Sequence, residues 1–191
     1  MKFDKSIAGS FILLVLIASL YRIMPGRPLG FAPQIAMALF SGSIVKEKKY
    51  AFILPLLSML VSDIIYEILS STGLSAIPGF YSGQWINYIL FASLTVIGFA
   101  INKNKWMHIA AGSLAGVIFY FFTSNFAVWI GGGLGINNLP YAKSFAGLME
   151  CYAAGIPFLK GSLAATLIFS SILFGGYYLM NRRQAKQVFI A

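Results

Sequence analysis

Long apolar runs alternate with short polar stretches along this chain. Six runs can be drawn, at residues 6–24, 32–45, 50–69, 85–101, 107–130 and 162–180. Most approach the roughly 20 apolar residues that a helix needs to cross a bilayer. The second run is shorter. Its residues rise only about 21 Å as a helix, less than a hydrocarbon core of about 30 Å. It is expected to begin below the outer surface, with Pro33 suited to its first turn. Glycine- and proline-containing loops, STGLSAIPGFYSGQ and GGGLGINNLPYAKSF, follow the third and fifth runs. Residues 144–154 form a candidate short interfacial or re-entrant helix within the last connection. The pattern predicts an all-α fold: one domain, 1–191, built as an integral membrane bundle of about six transmembrane helices.

Composition strengthens this reading. The chain is 59% hydrophobic and 10% charged, where soluble domains carry about 25% charged residues. The N-terminal stretch MKFDKSIAGSFILLVLIASLYRIM has the basic start and apolar core of a signal peptide. No small-x-small cleavage site follows, so it reads as a retained first helix.

The net charge of +9 is topological before it is anything else, because cytoplasmic loops collect Lys and Arg. With an even number of crossings, one side holds Lys2, Lys5, Lys46, Lys48, Lys49, Lys103, Lys105, Arg182, Arg183 and Lys186. The other holds Arg22, Arg27, Lys143 and Lys160. The imbalance predicts both termini in the cytoplasm. No basic run with interleaved aromatics argues for nucleic acid. The long loops then lie outside, which makes the outer face the expected working face.

Asp63 and Glu67 stand out in LSMLVSDIIYEIL. They lie one turn apart on one helix face, in the outer half of the third run. Arg22 ends the first run on the same side, and Arg27 follows. An ionised group in hydrocarbon is costly, so it faces the bundle interior or a wet cavity. Two readings stay open: a polar binding cavity, or a structural Arg22–Asp63 ion pair with Glu67 solvated at the interface. Asn125, near the outer end of the fifth run, suits either a ligand or helix packing. Gln84, Trp85 and Asn87 open the fourth run. Trp85 and Trp129 suit an aromatic belt or a stacking surface. Tyr81, Trp85 and Tyr152 are candidate apolar walls. Glu150, Cys151 and Tyr152 fall in the last outer loop. Gly112-Ser-Leu-Ala-Gly116 is a GxxxG step for close helix packing within the bundle or between copies. Gly131 to Gly135 lacks the features of a phosphate loop and reads as a flexible outer loop.

One cysteine and one histidine leave no intramolecular disulfide and no Cys/His zinc set. No metal, cofactor or nucleophile–base pair is indicated, and the chain is not expected to be an enzyme.

The stretches RIMPGRPLGFAPQIAMALFSG, AFILPLLSMLVSD, TSNFAVW and YAKSFAGLMECYAAGIPF resemble an uncharacterised family of small six-helix bacterial membrane proteins. That family is similar in size, crossings and outer loops to the substrate-binding S components of energy-coupling-factor transporters. The resemblance implies capture of a vitamin-like or other micronutrient small molecule at the outer face of the bacterial cytoplasmic membrane. It also implies an energising transmembrane subunit with ATPases as partner, besides the lipid bilayer. S components carry an Ala-x-x-x-Ala step on the first helix. Here that helix offers Ser6-x-x-x-Ser10, and Ala32-x-x-x-Ala36 opens the second run. On these grounds Arg22, Arg27, Asp63, Glu67 and Asn125 are expected to line or gate an outer cavity. The alternatives are a proton- or ion-coupled secondary carrier titrating Asp63, and a structural membrane subunit.

Overall fold

A computed structural model describes the backbone of residues 5–188 and the side chains of residues 11–182. The side chains of Ser6, Ser10, Lys2, Lys5, Arg183 and Lys186 lie outside the described residues. The helices are α1 (Lys5–Ile23), α2 (Gln34–Ile44), the single turn α3 (Lys48–Ala51), α4 (Ile53–Ser71), α5 (Trp85–Gly98), α6 (Trp106–Ile130) and α7 (Phe145–Val188). Besides helices, the described residues hold only an isolated bridge between Leu134 and Pro140. Three helical stretches are long and apolar enough to cross a membrane: Lys48–Ser71, Trp106–Ile130 and Phe145–Arg182.

The surface is inverted relative to a water-soluble bundle. In α6 the buried residues are Ser113, Gly116 and Val117. Its exposed ones include Leu114, Ile118, Phe122 and Phe126. Small residues facing inward let helices approach closely, while large apolar ones face out, as a lipid solvent requires. Both glycines of the GxxxG step pack inside the chain. A side chain at Gly112 would meet Ile101, and one at Gly116 would meet Leu39.

The short α2 is the central element. Every residue from Gln34 to Gly42 is buried, and α2 packs against α4, α5, α6 and α7. Of the Ala32-x-x-x-Ala36 step, Ala36 is fully buried in α2, whereas Ala32 precedes the helix and is half-buried. The crossing of α2 with α5 is glycine-lined. A Cβ on Gly42 would stand 2.2 Å from the Thr95 carbonyl, and one on Gly98 2.5 Å from that of Leu39. On the other flank, α1 packs on α4. The buried Ser19 hydroxyl sits 2.8 Å from the Ser58 carbonyl across that interface.

The largest departure from expectation is α7. A short helix over 144–154, a break and a last run at 162–180 are one continuous helix. Ser144 opens it, its hydroxyl accepting from the Gly147 amide at 3.2 Å. Pro157 lies inside it and removes one backbone donor. Two glycines inside α7 are packing contacts. A Cβ on Gly161 would stand 1.8 Å from the Leu29 carbonyl, and one on Gly155 2.5 Å from the Asn125 side chain. Glu150, Cys151, Tyr152 and Lys160 therefore sit on a helix, not in a loop. The glycine-rich stretch 131–144 also departs from a bare flexible loop. It folds back through Gly135 N–H to Leu139 C=O at 2.9 Å and Trp129 Nε1–H to Ala142 C=O at 2.8 Å. Lys143 donates to the carbonyls of Trp129 and Ile130, a favourable place for a cation at a helix C-terminus.

Candidate functional site

Connections 24–33, 72–84 and 131–144 gather at one end of the bundle, and the charged residues singled out above lie beneath them. Asp63 is 1% exposed. One carboxylate oxygen pairs with the Arg22 guanidinium. The other accepts from Gln84 Nε2 at 2.5 Å and from the Tyr88 hydroxyl at 2.6 Å. Arg22 Nη1 also reaches the Ser62 hydroxyl at 2.5 Å, and Tyr66 donates to the Arg22 carbonyl at 2.9 Å. One buried carboxylate thus ties α1, α4, α5 and the 72–84 connection together. Its attraction to Arg22 and its other bonds offset the desolvation that a lone charge would suffer.

Glu67 does something different. One of its oxygens accepts from the amides of Gly79 and Phe80, both at 3.1 Å. Connection 72–84 approaches α4 so closely that a Cβ on Gly79 would lie 1.9 Å from the Asp63 carbonyl. Glu67 therefore holds a loop on α4 and does not join the arginines.

Beside the Arg22–Asp63 pair is a hollow of about 410 Å³, within the usual range for small-molecule sites. Its polar lining is Arg22, Arg27, Gln34, Tyr81, Asn87, Tyr120 and Ser162; Phe91 and Phe158 contribute apolar wall. Phe91 and Tyr120 lie ring to ring at 5.3 Å. Connection 24–33 forms one side and is clamped on α7. Gly30 adopts φ +71°, a Cβ there would stand 2.2 Å from the Phe158 carbonyl, and Ser162 donates to the Gly30 carbonyl at 3.1 Å. Only glycine meets both demands at position 30.

Two features of this hollow are unusual. Gln34 is 2% exposed, and its amide nitrogen reaches the Ala18 carbonyl at 3.4 Å, yet its Oε1 has no hydrogen-bond partner. Buried polar atoms are nearly always paired, because leaving one unpaired costs about 1–3 kcal/mol. Arg27 reaches only the Phe31 carbonyl, at 3.5 Å, and meets no carboxylate among the described residues.

A neighbouring hollow of about 450 Å³ shares Tyr81, Asn87 and Tyr120 with the first and continues to Ser124, Gly131 and Gly133. Asn87 donates to the Tyr81 hydroxyl at 2.8 Å between them. A third, of about 460 Å³, lies between α6 and α7 at the opposite end, lined by Lys103, Trp106, Ser113 and Ser170. None of its polar lining atoms is buried without a partner.

Of the eight residues picked from sequence, Arg22, Arg27 and Tyr81 line the first hollow, and Asp63 stands behind Arg22. Glu67 is tied to its loop. Asn125 packs on α7 and donates to the Phe121 carbonyl at 2.8 Å. Trp85 is 64% exposed and lines neither neighbouring hollow. Tyr152 packs on Phe121 and Phe122. Sequence reasoning missed Gln34, Tyr88, Phe91, Tyr120, Phe158 and Ser162. Gln34 carried a readable signal, as an amide inside an apolar run. The aromatic residues carried none, since seventeen Phe and ten Tyr give no reason to choose among them.

A model for a family of unknown function, DUF6580, matches residues 4–188. The chain belongs to DUF6580. No curated protein matches this DUF6580 member, and no solved structure does. Among its described residues no three His, Cys, Asp or Glu side chains stand close enough to hold a metal ion. The hollow's lining brings together hydrogen-bond donors, a residue with a buried unpartnered acceptor, positive charge and an aromatic wall.

Proposed function

We propose that this protein is a membrane-embedded binding component for uptake of a small molecule, taken into the hollow beside Arg22 and Arg27. It crosses the bacterial cytoplasmic membrane six times with both termini inside, so the hollow faces outward. The design resembles that of the S components of energy-coupling-factor transporters, and an energising subunit with ATPases is the corresponding partner. The observation that carries the reading is a hollow of ligand size whose lining includes Gln34, a residue whose buried Oε1 has no partner among the described residues. A bound ligand would supply the missing donor. The bonding of both Asp63 oxygens favours a structural carboxylate over the titrating group of a carrier.

Native mass spectrometry of the protein in nanodiscs tests this. A small molecule at one per chain is expected, and Gln34→Leu should lose it while melting at or above the wild-type temperature. A wild-type chain with no adduct, and no thermal shift across a panel of metabolites, would sink the proposal.

A further inference from the structure

We infer that the molecule this hollow takes is a monoanion, an acid with a single negative charge that also presents an N–H or O–H group. The inference rests on the binding reading above and adds the ligand's chemistry.

It follows from the charges around the hollow. Arg22 and Arg27 are the cations of its lining. Asp63 neutralises the first. Glu67, the next carboxylate along α4, is held by the amides of Gly79 and Phe80 and is not part of the lining. Among the described residues, one positive charge of the lining, that of Arg27, is left without a counter-charge. Arg27 is half-buried in connection 24–33, so an anion in the hollow would meet a cation already partly stripped of water. A neutral ligand would leave it unpaired, and a dianion would bring a charge in excess. The guanidinium also suits a carboxylate or phosphodiester, because its planar fork donates two parallel bonds. Gln34 is in the same lining and its unpartnered Oε1 can only accept, so a donor on the same ligand would satisfy it. Phe91 and Tyr120 offer an apolar face for its body.

A soluble carboxylic acid and the phosphodiester of a hydroxylated lipid headgroup share this chemistry. The test separates them. Protein in phosphatidylcholine nanodiscs is incubated with a filtered cell extract of small molecules and washed. The released ligand is then partitioned between aqueous and organic phases for mass spectrometry. Alongside, 4-hydroxybenzoate and 4-hydroxybenzamide, alike in shape and differing by one charge, are compared by thermal shift. The expected ligand is a monoanion. An aqueous acid marks a soluble substrate, and an organic-phase phosphodiester marks a lipid; either supports the charge assignment. The carboxylate probe should stabilise the protein more than the amide does. Arg27→Gln should weaken anion binding roughly tenfold or more, and Arg27→Lys, which keeps the charge but loses the fork, should weaken it less than Gln does. A neutral or cationic ligand, or Arg27→Gln binding within about twofold of wild type, overturns the monoanion and leaves the binding reading standing. No ligand from extract and no shift with either probe overturns both.

Discussion

Removing the carboxylate of Asp63 strands three donors at once: Arg22, Gln84 and Tyr88. Asp63→Ala should therefore cost about 3–5 kcal/mol, the range for breaking a buried pair from one side. Asp63→Asn should also destabilise, because its amide nitrogen presents hydrogens to groups that are themselves donors. The double variant Arg22→Met with Asp63→Leu should regain much of the loss, since the unpaired charge goes with its partner. Thermal melts in detergent decide this; an Asp63→Ala protein melting with the wild type would dismiss the structural role. Glu67→Ala frees two loop amides at a more exposed place and should cost about 1–2 kcal/mol, with faster amide exchange at Gly79 and Phe80 as its signature. Asp63 and Arg22 were legible in the sequence because a charge in an apolar run must find a partner. Glu67's role was not, because its partners are backbone amides, which every residue but proline carries. Gln34 obeys the same rule as Asp63 in a milder form, and the rule finds it once amides are counted with charges.

At the scale of elements, α2 shows how a helix too short to span a bilayer earns its place. It is enclosed by four others, and its contact with α5 is backbone on backbone. Gly42→Val or Gly98→Val would push a side chain into a carbonyl that has no room to move. Either should destabilise beyond the usual 1–3 kcal/mol of core overpacking and lower the yield of folded protein. Gly175→Ala, where open space surrounds the position, should be neutral or slightly stabilising, and it serves as the control in a melt or a detergent-stability assay. The shortness of the second run was readable from its length, and so were the starts of α5 and α6. The continuity of α7 was not. Gly155, Pro157 and Gly161 spell a break to any local rule. Their reason is tertiary: two glycines make room for Asn125 and Leu29, and the helix runs on through the proline.

For the whole molecule, the outward row of Leu, Ile and Phe on α4 and α6 asks for a lipid surround, and the loop asymmetry of Lys and Arg asks for a fixed orientation. In a Cys151→Ser background, Leu74→Cys should react with a membrane-impermeant maleimide in intact cells. Asn104→Cys, at the opposite end, should react only after the membrane is opened. The reverse pattern would invert the topology. The all-α class and the six apolar helices were legible at this scale because each apolar run is long enough to be read from hydropathy alone; the hollow was not, because it is assembled from six helices whose meeting no local pattern announces. The same assembly bears on biogenesis. Arg22 and Asp63 are 41 residues apart, so at about 5–20 residues per second the ribosome delivers the carboxylate about 2–8 s after the guanidinium. In the membrane topology proposed above, the end of α1 carries an unmatched cation during that interval, which holds it at the headgroup level. Under that topology the first helix settles to its final depth only when α4 arrives, and the two segments are integrated as a pair.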